Sequence, residues 1–377
     1  MSTAGIIFSN LNDSTLSLLT ADRTVAAIPF ACRYRLVDFA LSNMIYANIS
    51  EISVVTNYNY RSLVDHIGSG KDWDLARRKG GISLVSPFQS ATPTQRPEIY
   101  KTHLEALRAM KENIARMSAE EIVMSDCEYI CNIDLRAMIE RHRVSGADMT
   151  ILTIPCHADW TSDGARLLLS RDQEGYVTGG GVCREAVECF PYLSIDIFIL
   201  GREFLLRMLS DAEAAGYTSL SRDIICRHFS RYNFRMEVYD GYVASVSNFN
   251  DYFSESIRLT ENNSVRSALL GNDARPVLTN VHNSAPVSYR EGCCVRSAMI
   301  ADDCVIEGTV ENSILFRGVK IGRGSVVKNC ILFGNTYVGE NSTLNCVVAD
   351  KSVCIGDGRI LSGHITMPMY IPKERKV

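Results

Sequence analysis

The chain has 377 residues, of which 46% are apolar and 22% are charged, as is usual for a water-soluble globular protein with one large or two smaller domains. Its 39 Lys and Arg against 43 Asp and Glu give a formal charge of −4, which argues against nucleic acid or an anionic membrane as the main partner. No apolar run reaches the roughly 18–20 residues of a membrane span, and residues 1–4 carry no basic region of a signal peptide.

The 13 cysteines are scattered mainly over apolar, strand-like positions. Neither Cys127 with Cys131 nor the pair Cys293 and Cys294 has the spacing, or the complementary His and Cys residues, of a zinc site. We therefore expect reduced core thiols in a cytoplasmic protein.

The chain opens on a short apolar segment, Gly5–Phe8, which predicts the first buried strand of an α/β domain. The turn after it, residues 9–16, contains no glycine and no basic residue, and the acidic Asp13 lies within it. A loop without glycine does not easily bring its backbone N–H groups against a phosphate, and Asp13 would repel one. The sequence therefore argues against a phosphate-binding turn at this place.

Apolar segments then alternate between the periods of strands and helices. Strands are predicted over 52–56, 82–85, 122–124, 149–154 and 195–200. Helices are predicted over 60–67, 102–117, 135–144 and 202–215. This alternation predicts an α/β, Rossmann-like domain with a doubly wound, mostly parallel sheet over residues 1–248, followed by a connecting helix and linker over 249–275.

Beyond residue 276 the chain repeats itself. Residues 310–315, 327–332 and 344–348 are copies of one sequence motif at a spacing of 17 residues, and 295–300 is a less similar copy. Aliphatic residues recur about every six positions, which is typical of a left-handed parallel β-helix. We predict this fold for residues 276–377.

Residues 27–43 read AIPFACRYRLVDFALSN. This segment resembles PAVPFGGKYRLIDFALSN of the glucose-1-phosphate adenylyltransferases (ADP-glucose pyrophosphorylases), which also pair a nucleotidyltransferase domain with a short β-helix. Catalytic members precede the segment with GGxGxRLxxLTxxRAKP. Here the three glycines become Asn10, Leu11 and Asp13, the first arginine becomes Thr15 and the lysine becomes Val25. The second arginine survives as Arg23, so the chain is similar to GlgD-type subunits, which keep the fold and lose the chemistry.

The resemblance implies an enzyme reaction in which glucose 1-phosphate attacks ATP, helped by Mg²⁺ on two aspartates. The first aspartate position is Cys127 or Glu128 here, with Asp126 as a neighbour that could replace it, and the second is Ser245. We therefore expect no bound cofactor in this chain and place the Mg²⁺ on a catalytic partner subunit.

Three residues match sugar-binding positions of the family: Tyr100, Ser194 and Asp223. The resemblance implies that they are remnants of a substrate site. The other interpretation is that they are ordinary loop and capping residues.

Two arginines on alternate residues, Arg33 and Arg35, fall in the family's segment for allosteric effectors. In an extended chain they point the same way, which suits a phosphorylated metabolite. Arg61 and His66 are candidates to join them. The other interpretation is surface arginines paired with nearby acids.

The favoured hypothesis is a regulatory subunit of ADP-glucose pyrophosphorylase in glycogen biosynthesis, inactive or nearly so alone, which forms a heterotetramer with the catalytic subunit and a homo-oligomer in isolation. The alternative is an active sugar-phosphate nucleotidyltransferase with a site rearranged around Asp126. A hexapeptide acyltransferase is disfavoured because its histidine base has only His282 and His364 as candidates, both outside the repeats.

Overall fold

The structure is a computed structural model that describes residues 2–11, 15–77, 80–86, 100–271 and 275–377. Its first part is built on a nine-stranded sheet with the path β10-β9-β11-β6-β1-β4-β5, in which β8 pairs with β11 and β12. Two further two-stranded sheets join β2 to β3 and β7 to β13. The strands are β1 Thr3–Phe8, β2 Pro29–Phe30, β3 Tyr34–Arg35, β4 Glu51–Val55, β5 Gly81–Val85, β6 Glu121–Ser125, β7 Tyr129–Ile130, β8 Met149–Pro155, β9 Thr161–Arg171, β10 Val177–Glu185, β11 Tyr192–Gly201, β12 Phe234–Val238 and β13 Ala244–Ser245.

The centre of the sheet is parallel, because β6, β1, β4 and β5 pair in that sense. The predicted Rossmann-like domain is thus confirmed. The long hairpin of β9 and β10 was not predicted, and β11 pairs antiparallel with β6, β8 and β9. A Cβ atom on Gly5 would lie 2.5 Å from the Met44 sulfur, so the glycine lets a helix pack closely on β1.

Helices cover both faces of this sheet, and several end where the sequence predicts. Gly68 and Gly146 terminate two of them with φ of +55° and +63°, a conformation that glycine adopts at little cost. The single helix predicted over 102–117 is two, divided at Met110. The helices are α1 Ser17–Thr20, α2 Leu36–Tyr46, α3 Arg61–Ile67, α4 His103–Ala109, α5 Lys111–Arg116, α6 Leu135–Ser145, α7 Arg202–Ala214, α8 Cys226–His228, α9 Phe249–Glu261 and α10 Asn263–Leu270, with 3₁₀ turns at Val25–Ala27 and Lys71–Trp73 and a π turn at Leu220–Ile225.

The second part is the left-handed parallel β-helix that the repeats predict. Three parallel five-stranded sheets each take every third strand. The strands are β14 Ser288–Tyr289, β15 Cys294–Arg296, β16 Met299–Ile300, β17 Val305–Ile306, β18 Thr309–Glu311, β19 Ile314–Leu315, β20 Lys320–Ile321, β21 Val326–Lys328, β22 Ile331–Leu332, β23 Tyr337–Val338, β24 Thr343–Asn345, β25 Val347–Ala349, β26 Cys354–Ile355, β27 Ile360–Ser362 and β28 Met369–Ile371.

The repeat at 17 residues sets the register of the coils. Val310, Val327 and Leu344 are direct partners on neighbouring strands, and all three are fully buried. Asn312 and Asn329 turn the same corner of successive coils with φ of +45° and +50°, a conformation that asparagine tolerates better than most residues.

The β-helix and the sheet domain share one hydrophobic core. Ile314, Ile331 and Val348 of one β-helix sheet belong to the same buried cluster as Tyr252 and Phe253 of α9. The Tyr252 hydroxyl donates a 2.7 Å hydrogen bond to the Pro29 carbonyl, which ties α9 to the sheet domain as well. Helix α9 therefore lies between the sheet domain and the β-helix in the chain and also packs against both of them.

All 13 cysteines lie in the described ranges, and none is joined in a disulfide. Among the helices that the structure describes, none has both the length and the apolar character that crossing a bilayer requires.

Candidate functional site

Asn10, at the start of the turn after β1, is held by hydrogen bonds of its side chain. The Asn10 carboxamide accepts a 3.0 Å hydrogen bond from the Asn57 backbone N–H and donates one of 3.3 Å to the Tyr58 carbonyl. Asn10 is 5% exposed, so a buried side chain stands where the motif of the catalytic members has a glycine. Asp13 lies outside the described residues.

The retained motif arginine, Arg23, faces the β-helix. Its Nη2 lies 2.6 Å from Asp350 Oδ1, and both side chains are buried. Its guanidinium also lies over the Phe333 ring, 5.6 Å from the centroid. The Tyr370 hydroxyl donates a 2.7 Å hydrogen bond to the other Asp350 oxygen. In this chain Arg23 therefore joins the two domains.

The two positions that the resemblance implies for metal ligands lie side by side. β13 pairs with β7 so that Ser245 faces Tyr129, and the Val246 N–H donates to the Glu128 carbonyl at 2.8 Å. The Ser245 hydroxyl lies 2.9 Å from that of Ser247. Burial raises the pKa of the other candidate, the Cys127 thiol, well above its usual value.

Glu128, the remaining candidate at the first position, is in a buried ion pair. Arg166 of β9 places Nη2 2.6 Å from Glu128 Oε2, with the two side chains 7% and 4% exposed. The same guanidinium lies over the Tyr129 ring at 5.7 Å. A serine hydroxyl and a carboxylate already bound to arginine do not fit Mg²⁺, which needs anionic oxygens in a near-octahedral set. Across the described residues no group of three His, Cys, Asp or Glu side chains is placed to hold a metal ion.

Asp126 is also paired, with a histidine from helix α4. His103 Nε2 of α4 lies 2.9 Å from Asp126 Oδ1, and the imidazole packs edge-on against Phe8 at 4.7 Å. Burial alone would lower the pKa of His103, but the Asp126 carboxylate raises it to about 9. Burial and then repulsion from Asp126 raise the pKa of Asp196 to about 6. Asp196 sits at an irregularity of β11 with φ of +54°, which brings it to Asp126.

A cavity of about 220 Å³ opens beside these pairs. Its charged wall is formed by Lys101, His103, Arg166, Asp196 and Arg222. None of these five was predicted as a site residue from the sequence. The sequence does contain a sign of Arg166, because this charged residue directly precedes the apolar run Leu167–Leu169 within a strand.

None of the predicted sugar-site residues lines this cavity. Tyr100 is buried and exchanges backbone hydrogen bonds with the Asn57 side chain at 2.9 and 3.0 Å. The Ser194 hydroxyl accepts from the Asp196 N–H at 3.2 Å. Asp223 accepts from the N–H groups of Thr218 and Ser219, both at 3.0 Å, as a capping residue does. A substrate role for these residues stays a prediction.

A second cavity, of about 320 Å³, lies between the sheet domain and the β-helix. Arg33, Arg35 and His66 line it, as neighbours in one wall. Arg61 does not; it is exposed at the first turn of α3. The β-helix and the linker supply further side chains that carry or can accept a positive charge, namely His282, Arg317, Lys351 and Lys373.

No acidic side chain is among the described residues that line this second cavity. Burial, and then repulsion from Arg35 and Arg23, lower the pKa of Lys351 to about 8. Burial lowers the pKa of Arg35 to about 10. Arg35 Nη1 donates to the Ser62 hydroxyl at 2.8 Å, while Arg33 is exposed. The cavity thus concentrates positive charge.

Asp38 connects the wall of this cavity to the linker. Its carboxylate lies 2.6 Å from His66 Nε2, and it accepts hydrogen bonds from the Thr279 hydroxyl at 2.5 Å and the Arg35 N–H at 3.0 Å. Asp38 is fully buried in the first turn of α2. Farther along this helix the Asn43 side chain binds the backbone of Cys131 and Ile133. Helix α2 therefore contacts both the cationic cavity and the segment after the former metal position.

Comparison with known proteins agrees with this architecture. A family model described as Nucleotidyl transferase matches residues 7–162, and one described as GlmU-like, C-terminal hexapeptide matches residues 283–363. The glycogen biosynthesis protein GlgD of Bacillus subtilis (strain 168) is 30% identical over 374 residues, which cover 98% of this chain and 95% of the relative. The chain belongs to the GlgD family.

The chain is also similar in sequence to another GlgD protein and to a glucose-1-phosphate adenylyltransferase. GlgD of Geobacillus stearothermophilus is 30% identical over 86% of this chain and 82% of its own length. The glucose-1-phosphate adenylyltransferase of Thermotoga maritima is 28% identical over 86% of this chain and 76% of its own length. The resemblance seen in residues 27–43 is confirmed.

The hexapeptide match identifies a fold and carries no reaction with it. The two candidate bases of an acyltransferase lie apart. His282 lines the cationic cavity, while His364 is exposed in the last coil and bonds to Thr366 at 2.8 Å.

Proposed function

We propose that this chain is a regulatory subunit of a glucose-1-phosphate adenylyltransferase in glycogen biosynthesis, with little or no activity alone. The observation that carries the proposal is the contrast between its two charged cavities. Beside the former metal positions, the carboxylates of Glu128 and Asp126 are tied to Arg166 and His103. Between the domains, five cationic and two histidine side chains line a cavity without an acid among its described residues.

The ligand of the second cavity is, in this proposal, a phosphorylated metabolite. Phosphate oxygens accept charge-assisted hydrogen bonds from arginine and lysine, and a bisphosphate can engage Arg33 and Lys351 together. The lowered pKa values of Lys351 and Arg35 reflect burial and cationic neighbours, which a bound anion offsets. A volume of about 320 Å³ is at the lower end of ordinary small-molecule sites.

The partner is, in this proposal, the catalytic subunit, which supplies the Mg²⁺ site that this chain does not provide. We propose a heterotetramer in the cytoplasm and a homo-oligomer when the chain is alone. The names of the relatives support the pathway, since two are glycogen biosynthesis proteins and one is a glucose-1-phosphate adenylyltransferase. Helix α2 offers a route for regulation. Its Asp38 bonds to Arg35 and His66 in the wall of the interdomain cavity. Its Asn43 bonds to the segment after the former metal position.

A second candidate is an active sugar-phosphate nucleotidyltransferase with a rearranged site. The cavity of about 220 Å³ beside Asp126 favours it, because Lys101 and Arg222 could bind phosphate there. One assay separates the two candidates. The chain is produced in a host that lacks its own adenylyltransferase and is incubated with ATP, glucose 1-phosphate and Mg²⁺.

If the chain is regulatory, we expect no diphosphate release above that of a blank preparation. Losing one electrostatic stabiliser of a transition state costs about 10²–10³ in rate, and several are missing here. Turnover within the range of roughly 1–10³ s⁻¹ that is typical of enzymes would establish the second candidate instead. A catalytic subunit prepared in the same way is the positive control.

A further inference from the structure

The carboxylates at and beside the first of the former metal positions are paired with side chains of the same chain. A Mg²⁺ ion brings two positive charges to a pair of acidic groups. Here Glu128, a candidate at the first metal position, and its neighbour Asp126 are each paired with one cationic side chain, Arg166 at 2.6 Å and His103 at 2.9 Å. The two partners come from different elements, Arg166 from β9 and His103 from α4.

These ion pairs leave little room for a metal. A buried carboxylate is stable only when a counter-charge and hydrogen bonds replace its water. Glu128 already has the guanidinium of Arg166, which is also held over the Tyr129 ring at 5.7 Å. A metal could bind Glu128 only by displacing this buried arginine. Ser245, on the neighbouring strand, faces Tyr129 and would contribute only a neutral hydroxyl.

We propose that Arg166 and His103 act as built-in replacements for the metal cation, so that the former active site is held closed to divalent ions. The inference is independent of the regulatory role, because it concerns only the ion pairs at the ends of β6 and β7. It explains how Glu128 and the neighbouring Asp126 persist as buried acids at and beside a position that the resemblance implies for a metal ligand. Its consequence is that removing an internal cation should expose a latent site for a divalent ion.

The test compares thermal unfolding in millimolar MgCl₂ with unfolding in NaCl of equal ionic strength. The wild-type midpoint should be the same in both. Arg166→Met should lower the midpoint in NaCl by on the order of 10 °C, because the buried Glu128 carboxylate loses the guanidinium of its ion pair. MgCl₂ should recover part of that loss. The double variant Glu128→Gln, Arg166→Met should recover most of it without Mg²⁺ and should show no Mg²⁺ response.

The matched control is Arg171→Met, on the same strand. Arg171 is exposed and lies over the Tyr192 ring at 5.2 Å, away from Glu128, so its loss should create no Mg²⁺ response. An Arg166→Met variant that unfolds at the wild-type temperature would overturn the proposal. So would a destabilised variant that Mg²⁺ does not stabilise beyond the NaCl control.

Calorimetric titration of the wild-type chain with MgCl₂ tests the same proposal without any variant that must fold. We expect no saturable binding. Saturable binding that Glu128→Gln abolishes would show that the site still takes a metal and would overturn the proposal.

Discussion

Arg23 and Asp350, which are 327 residues apart in the chain, form a buried ion pair of 2.6 Å between the sheet domain and the β-helix. The resemblance implies that this arginine corresponds to the second arginine of the motif that precedes residues 27–43 in catalytic members. Here it is part of the domain interface, with Phe333 and Tyr370 around it. Its side chain faces the β-helix and does not line the cavity of about 220 Å³ beside Asp126.

The ion pair gives a stability prediction. Arg23→Met should lower the free energy of unfolding by about 3–5 kcal/mol, because it leaves Asp350 buried without its cation. Urea denaturation of wild type and variant measures the difference. Arg323→Met is the matched control, since Arg323 is exposed on the β-helix. A loss no larger than that of the control would show that the pair does not stabilise the interface.

The cationic cavity gives a binding prediction. The double variant Arg33→Ala, Lys351→Ala should need a higher effector concentration for half-maximal response. The increase should be roughly tenfold to a hundredfold for each charge-assisted hydrogen bond that is removed. The measurement is an effector titration of the mixed complex at constant salt, because salt screens these charges. Arg323→Ala is the control and should leave the titration unchanged. Superimposable curves for the double variant and wild type would remove these two residues from the effector site.

Lys351 gives a pH prediction. Its pKa is lowered from 10.5 to about 8, so it is charged below that pH in the folded chain and neutral above it. Effector affinity should therefore fall as the pH rises through about 8. Other charged groups at the cavity are Arg33, Arg35, His66, His282, Arg317 and Lys373. Lys351→Arg, which stays charged, should flatten the profile; an unchanged profile would assign the titration to another group.

The same lowered pKa fixes the sign of the stability change. Between about pH 8 and 10.5 the unfolded chain keeps a proton on Lys351 that the folded, ligand-free chain has lost. The unfolded state then binds more protons, so this residue makes stability rise with pH across that window. Comparison of urea unfolding of wild type and Lys351→Arg at several pH values isolates the contribution. A difference between the two proteins that does not vary with pH would contradict it.

The former metal site gives a design prediction. Ser245→Asp alone should not create Mg²⁺ binding, because Arg166 still occupies the Glu128 carboxylate. Ser245→Asp combined with Arg166→Met should bind Mg²⁺ more tightly than Arg166→Met alone, since it adds a second carboxylate on the strand that pairs beside Glu128. Calorimetry with MgCl₂ measures both variants. Binding by the single variant would mean that Arg166 is not an obstacle.

The sequence predicts those parts of the molecule in which neighbouring residues carry the signal. The motif repeated every 17 residues predicts that Val310, Val327 and Leu344 are in register, because each coil of a β-helix presents the same environment. The helix ends at Gly68 and Gly146 were equally local. The short segment with Arg33 and Arg35 located one wall of the interdomain cavity.

What the sequence did not predict depends on pairs of residues far apart in the chain. Lys351 and Arg317 reach the cavity from the β-helix, roughly 300 residues after Arg33, and nothing near them in sequence points to Arg33. The pairing of Arg166 with Glu128 likewise requires the β9–β10 hairpin, which was not predicted. Arg23 was interpreted through its motif, and only the fold shows that Asp350 is its partner.

Whether this chain regulates a partner rather than transferring nucleotide itself can be measured directly. The chain is titrated into a fixed amount of the catalytic subunit, and diphosphate release is recorded at several concentrations of a phosphorylated effector. We predict that the effector response of the mixture changes with added chain until the partner is saturated, while the chain alone gives no release. If the effector changes diphosphate release of the mixture as it does that of the catalytic subunit alone, at every ratio, the regulatory role is contradicted.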